Sequence, residues 1–136
     1  ISQFDRLKSI CDQLNDNGLR ISLFIEPDLR QIETAVKLKV PVIELHTGTY
    51  SELEADNKEN ELKRIQRAVD YANELGIECH AGHGLNFENV GPIASIEKIT
   101  ELNIGHFLIG EAVFIGLTSA IGKMKHIMAE ARKVDV

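Results

Sequence analysis

"GIECHAGHGLNFENVG", residues 76–91, sets two histidines, one cysteine and four glycines where a short apolar run gives way to a polar loop. On its upstream side, Leu62, Ile65, Ala68, Val69, Ala72 and Leu75 recur at helical spacing and stop at Gly76, a residue suited to the left-handed turn that ends a helix. Residues 77–84 then read as a strand, and "NVGPIASI" as a short helix after it. This order, helix, strand, glycine-rich loop, helix, is the junction of two βα units.

The same order recurs in both directions. Upstream, "SQFDRLKSICDQLNDNG" carries Phe4, Leu7, Ile10, Cys11 and Leu14 on one helical face, with Ser2 as the expected cap and Gly18 as the stop. "ISLFIE" (21–26) is a β-rich run ended by Pro27, and Asp28 is placed to cap a helix whose apolar face is Leu29, Ile32, Ala35 and Val36. "VPVIELHTG" (40–48) is the next strand and loop. Downstream, "ELNIG" (101–105) reads as a fourth strand, and the apolar positions from Phe107 to Met128 predict one long helix. Four strands each followed by a helix imply an α/β chain with a parallel sheet and right-handed crossovers. Such a set forms either a small doubly wound sheet or half of a (β/α)₈ barrel, and composition does not choose between them.

Composition does restrict the function. The 136 residues are 43% hydrophobic, enough for one domain, and no apolar run approaches the roughly 20 residues that cross a bilayer. A net charge of −6 without charged blocks disfavours nucleic acid as a partner, so any phosphate recognition must be local. The two cysteines form no disulfide framework, and the reducing cytoplasm is the expected compartment. The chain opens at Ile1 rather than Met, as expected of a processed or excised piece.

Charged and imidazole residues gather at the predicted C-terminal ends of the strands: Glu26, Glu44 and His46, His83, and His106. Both candidate architectures place ligands on that face. Glu44 lies inside a strand, flanked by Ile43 and Leu45, so alternation turns Val42, Glu44 and His46 to one face and the two apolar neighbours to the other. A carboxylate there is suited to stabilise developing positive charge or relay a proton; the alternative is a structural salt bridge. His83 stands between Gly82 and Gly84, which leaves the imidazole free to exchange protons near neutral pH, unless it merely satisfies loop carbonyls. Gly105 and His106 open the last helix, whose exposed amides and positive dipole end suit an anion, although the glycine also suits a plain tight turn. His126 falls on the exposed side of that helix.

A zinc site built from Cys79, His80 and His83 with His46 or His106 is disfavoured. Residues 80 and 83 have opposite strand parity, and none of the familiar paired zinc spacings is present. No metal is expected.

"SLFIE", "IELHTGTY", "AGHGLNFENV" and "ELNIGHFLIGEAVFIGL" together resemble the C-terminal half of the pyridoxine 5′-phosphate synthase family, in order and approximate spacing over essentially the whole chain. The resemblance implies a single domain, residues 1–136, forming the C-terminal half of a (β/α)₈ TIM barrel. It also implies a reaction: 3-amino-2-oxopropyl phosphate condenses with 1-deoxy-D-xylulose 5-phosphate to close the pyridine ring, releasing phosphate and water, with no cofactor. In that family the residue matching His83 is the proton donor, and the one matching Glu44 stabilises the transition state. Those matching Gly84, Gly105 and His106 hold the amino-oxopropyl phosphate. His80 departs from the asparagine usual there.

The family's N-terminal half, with a further catalytic His and Glu and the basic grip on the second phosphate, has no counterpart in this sequence. The expected partners are therefore the phosphorylated substrates, the missing half and further copies in a homo-oligomer. A non-catalytic phosphate-binding half-barrel and a different phosphosugar-processing barrel are the competing expectations.

Overall fold

A computed structural model describes residues 3–133. In chain order the elements are α1 (Phe4–Asp16), β1 (Ser22–Ile25), α2 (Leu29–Lys37), β2 (Val42–His46), α3 (Gly48–Glu52) and α4 (Ala55–Glu74). They continue with β3 (Glu78–Gly82), α5 (Val90–Ala94), β4 (Ile99–Asn103), α6 (His106–Ile115) and α7 (Leu117–Ala131). Asp28 caps α2 as expected, accepting from the amides of Arg30 and Gln31 at 2.9 and 3.1 Å. Gly18 and Gly76 take φ of 71° and 74° just beyond α1 and α4, the left-handed exits that their positions predicted. The expected cap at Ser2 lies outside the described residues.

All four strands are parallel and their order in the sheet is β1-β2-β3-β4. Strand order therefore follows chain order without reversal, whereas a doubly wound sheet reverses at a switch point. Register explains how the two faces divide. Phe24, Glu44 and His80 align across β1, β2 and β3, while Ile43 pairs with Cys79 and Leu45 with Ala81 on the opposite face. That second face joins Ile32, Ala35, Ile65, Ala68, Val69, Ala72 and Ile93 from the helices in one core cluster. Each fully buried Ile, Leu or Val there contributes about 1.5–3 kcal/mol. The carboxylate at position 44 is left on the face the helices do not cover.

At the β3–β4 pairing the register shifts between Cys79 and His80, whose partners are Ile99 and Glu101, so Thr100 is the extra residue of a bulge. The shift keeps both Ile99 and Leu102 with the helix-side residues of β3. Among the described residues, β1 and β4 each pair along one side only.

Three expectations need correction. The predicted helix from Phe107 to Met128 is two helices, broken at Gly116, whose φ of 83° and ψ of 147° lie outside any helix and favour glycine. Apolar periodicity runs on through the break because α6 is apolar on every side; Val113 and Phe114 are 79% and 85% exposed. The fourth strand begins at Ile99 rather than Glu101, the alternation being obscured by the bulge. The polar stretch after β2 also holds α3, a short helix with Gly48 and Tyr50 buried.

Candidate active site

The C-terminal ends of β2, β3 and β4 open into a cavity of about 620 Å³. Glu44, His83, Gly84, Gly105 and His106 all line it, so residues drawn from three separate sequence stretches are brought to one place. Phe24, Leu85, Asn86 and Asn103 complete much of its wall, and no Lys or Arg is among its lining residues.

Glu44 projects from the strand toward Gly82. A β-carbon built at position 82 would collide with Glu44 Oε1 and would stand 2.8 Å from the Asn103 carbonyl oxygen, so glycine there makes room for the carboxylate. Among the described residues Glu44 enters no ion pair or side-chain hydrogen bond; the salt-bridge alternative finds no partner in them.

His83 is exposed and its φ is 84°, a left-handed backbone that costs a non-glycine residue about 1–3 kcal/mol. The strain has a geometric result. Gly82 belongs to the face of Glu78 and His80, so a regular extended continuation of β3 would send residue 83 toward the helices. The left-handed turn instead leaves the imidazole at the cavity. Its ring lies 4.7 Å from that of His46, tilted 39°, with Phe24 edge-on to His46 at 5.1 Å. Gly48 is the space between the two histidines: a β-carbon there would be 2.6 Å from His46 Cε1 and 3.0 Å from His83 Cδ2.

Glu26 stands behind His46. The Nδ1 of His46 lies 3.1 Å from Glu26 Oε1 without the alignment of a hydrogen bond, which leaves that buried nitrogen unbonded. Glu26 in turn faces Arg64 of α4 at 3.5 Å, and Arg64 pairs with Glu61 at 2.6 Å.

The two glycine-containing loops meet through their aromatic residues. Phe87 and Phe107 pack edge to face at 4.7 Å, joining the loop after β3 to the first turn of α6. Gly84 has φ of 76°, and a β-carbon on it would stand 2.7 Å from Ser51 Cβ. Asn86 and Asn89 hold the loop: Asn86 Oδ1 accepts from the Glu88 and Asn89 amides at 2.8 and 3.0 Å, and Asn89 Nδ2 donates to the Gly84 carbonyl at 3.1 Å. Gly105 precedes α6, whose first amides have no intrahelical acceptor, and the space where a β-carbon would stand is open. The arrangement offers backbone donors and a helix dipole to an anion.

Beside Glu44 on the same face of the sheet, His80 is buried between two carboxylates. Its Nε2 lies 2.9 Å from Glu78 Oε1 and its Nδ1 3.5 Å from Glu101 Oε1. Glu78 also meets Arg20 and accepts from the Thr100 hydroxyl at 3.1 Å. Hydrogen bonds from His80 and then Thr100 hold the Glu78 carboxyl below its usual range. Cys79 points the other way, into the helix-side core, where burial pushes its thiol up to about 12. No group of three or more His, Cys, Asp or Glu side chains among the described residues is arranged to hold a metal ion.

Sequence reasoning passed over Thr47, Asn86, Asn89 and Asn103. The repeated Asn three residues apart in "NFEN" was a readable turn signal. Thr47 carried none, because a threonine after a strand is ordinary until its neighbours are known.

The family model described as "Pyridoxal phosphate biosynthesis protein PdxJ" matches residues 1–130. Among curated proteins, the pyridoxine 5′-phosphate synthase of Zymomonas mobilis subsp. mobilis is 55% identical over 133 residues, covering 98% of this chain and 52% of the relative. That of Rhodospirillum rubrum is 52% identical over 96% of this chain and 53% of its own length. That of a Sulfurihydrogenibium species is 47% identical over 98% and 55% respectively. The chain spans about half the length of the curated relatives it matches. With near-complete coverage at this identity, and with the motif residues gathered at one cavity, the chain belongs to the PdxJ family of pyridoxal phosphate biosynthesis proteins.

Proposed function

We propose that the chain is the C-terminal half of a (β/α)₈ barrel and supplies half the active site of a pyridoxine 5′-phosphate synthase. The observation that carries this reading is the convergence of Glu44, His83, Gly84, Gly105 and His106 on one cavity at the strand ends. The half-barrel reading draws support from the unreversed strand order, the two strand edges left unpaired among the described residues and Phe24, 55% exposed on the inner face. An upstream half, pairing with β1 and β4, closes the barrel and covers that face.

In this reading the chemistry divides between backbone and side chains. The amides after β3 and at the start of α6, with His106, hold the phosphate of 3-amino-2-oxopropyl phosphate, so the chain needs no Lys or Arg for this anion. Condensation of its amine with the carbonyl of 1-deoxy-D-xylulose 5-phosphate passes through cationic nitrogen intermediates. The Glu44 carboxylate stabilises that positive charge from a fixed position. His83 donates a proton to a departing oxygen, turning hydroxide into water as the leaving group. No metal or organic cofactor takes part. The second phosphate and the remaining proton transfers fall to the upstream half.

The test is product formation from the two substrates. A polypeptide carrying both halves is expected to form pyridoxine 5′-phosphate, and His83→Ala to lower its turnover about 10²–10⁴-fold with the fold intact. Glu44→Gln is expected to slow ring formation more than it weakens substrate binding. The isolated 136-residue chain is expected to form no product. Product from that chain alone at a rate comparable with the two-half enzyme would overturn the half-barrel reading, and an unchanged His83→Ala rate would remove His83 from the mechanism.

A further inference from the structure

The loop after β3 contains a strained residue, and one buried side chain on β2's exit holds it. His83 and Lys39 are the two non-glycine residues with positive φ among those described, and Lys39 sits in an exposed turn. Thr47, fully buried, places Oγ1 2.7 Å from the carbonyl oxygen of His83 and 2.7 Å from that of Gly82. Its amide donates to the Gly82 carbonyl as well, at 2.8 Å. Because Gly82 has this second donor and a hydroxyl has a single proton, the His83 carbonyl is the group that depends on the hydroxyl. The other donor near that carbonyl is Ser51 Oγ, at 3.4 Å.

We infer that Thr47 is a positioning residue for His83: its hydroxyl clamps the left-handed peptide and thereby aims the imidazole into the cavity rather than toward the helices. The inference rests on the reading of His83 as proton donor. Neighbouring geometry agrees with a cradle built for one ring position. His46 stands beside the imidazole at 4.7 Å, and Gly48 leaves just the room the two rings need. The tripeptide His46-Thr47-Gly48 thus supplies a wall, a clamp and a gap to a residue 36 positions downstream of its centre, a separation bridged by the β2–β3 pairing that sets Gly82 beside His46.

The experiment uses a polypeptide carrying both halves of the barrel, with three forms compared: parent, Thr47→Val and Thr47→Ser. Valine keeps the shape and removes the hydroxyl; serine keeps the hydroxyl. Thr47→Val is expected to lower kcat about 10- to 100-fold, with KM for both substrates within about threefold, since misaimed groups lose rate rather than binding. Thr47→Ser is expected to restore most of the lost turnover. Unchanged kcat in the valine variant overturns the inference, and so does a serine variant as slow as His83→Ala, which remains decisive if valine prevents folding. A parent that forms no product fails the functional reading instead. The clamp is then judged by the crystal structure of Thr47→Val: loss of the left-handed φ at His83 supports it, and an unchanged angle overturns it.

Discussion

Gly82 and Glu44 are related by subtraction: the side chain missing from one is the room occupied by the carboxylate of the other. A methyl group at position 82 meets Glu44 Oε1 on one side and the Asn103 backbone on the other, 2.8 Å from its carbonyl oxygen. A carboxylate can swing aside, but a strand backbone cannot. Gly82→Ala is therefore expected to cost roughly 1–3 kcal/mol of stability and to displace Glu44 from the cavity. Thermal melting beside turnover checks this; a variant that melts and turns over with the parent would show that β4 yields freely.

The two glycines proposed to hold phosphate are expected to respond to substitution in opposite ways. Gly84 has positive φ and Ser51 Cβ 2.7 Å from its absent side chain, so Gly84→Ala is expected to destabilise the fold before any ligand is considered. Gly105 has φ of −104° and open space around it, so Gly105→Val is expected to cost the fold less than about 1 kcal/mol while blocking the anion. Calorimetric titration with inorganic phosphate, run beside melting curves, separates the two. Phosphate binding to Gly105→Val at parent strength would remove the start of α6 from the anion site.

The layout of strands and helices was readable because it rests on local rules. Asp28, Gly18 and Gly76 mark helix ends through backbone chemistry that needs no tertiary partner, and Ile43 and Leu45 against Glu44 disclose two faces by alternation alone. What escaped was hidden by an unbroken apolar pattern or set by distant residues. Gly116 breaks a helix inside an unbroken apolar pattern, and the Thr100 bulge moved the start of β4. The left-handed angle of His83 makes sense only beside Thr47, 36 residues away. Glu44 and His83, singled out in the sequence by residue type and setting, do line one cavity. Their supports are common polar residues with ordinary neighbours.

Acid should weaken the cluster of charged groups around His80. The folded pKa of Glu78 lies below its unfolded value, through His80 first and then Thr100, so its ionised form adds stability above the ordinary value of 4.5. That contribution is lost as pH falls through the lower folded value. Melting curves of the parent and Glu78→Gln are expected to be separated at about pH 6 and to converge in strong acid. A separation that stays constant across this range would show that the pair contributes nothing through ionisation.

Cys79 is expected to be chemically silent in the folded protein. Burial holds its thiol up to about 12, so the nucleophilic thiolate is scarce at any pH the fold is handled at. Alkylation with iodoacetamide near neutral pH, followed by mass mapping, should leave Cys79 unmodified until denaturant is added. Rapid labelling of the native protein would mean that β3 separates from the α4 side of the core far more often than its packing implies.

The consecutive order of the strands carries a kinetic meaning. Each strand pairs with its nearest predecessor in the chain, Ser22 with Val42, Val42 with Glu78 and Cys79 with Ile99, so every pairing closes a loop of some twenty to thirty-six residues. Loops that short cost little entropy, and the sheet can grow one unit at a time as the polypeptide emerges. In a closed barrel the sole long-distance pairing is the final one, between the first strand and the last. Assembly of such a molecule is therefore fast until its last step. The partly grown sheet that waits there, with both flanks bare, is the species on which chaperones and stray strands compete.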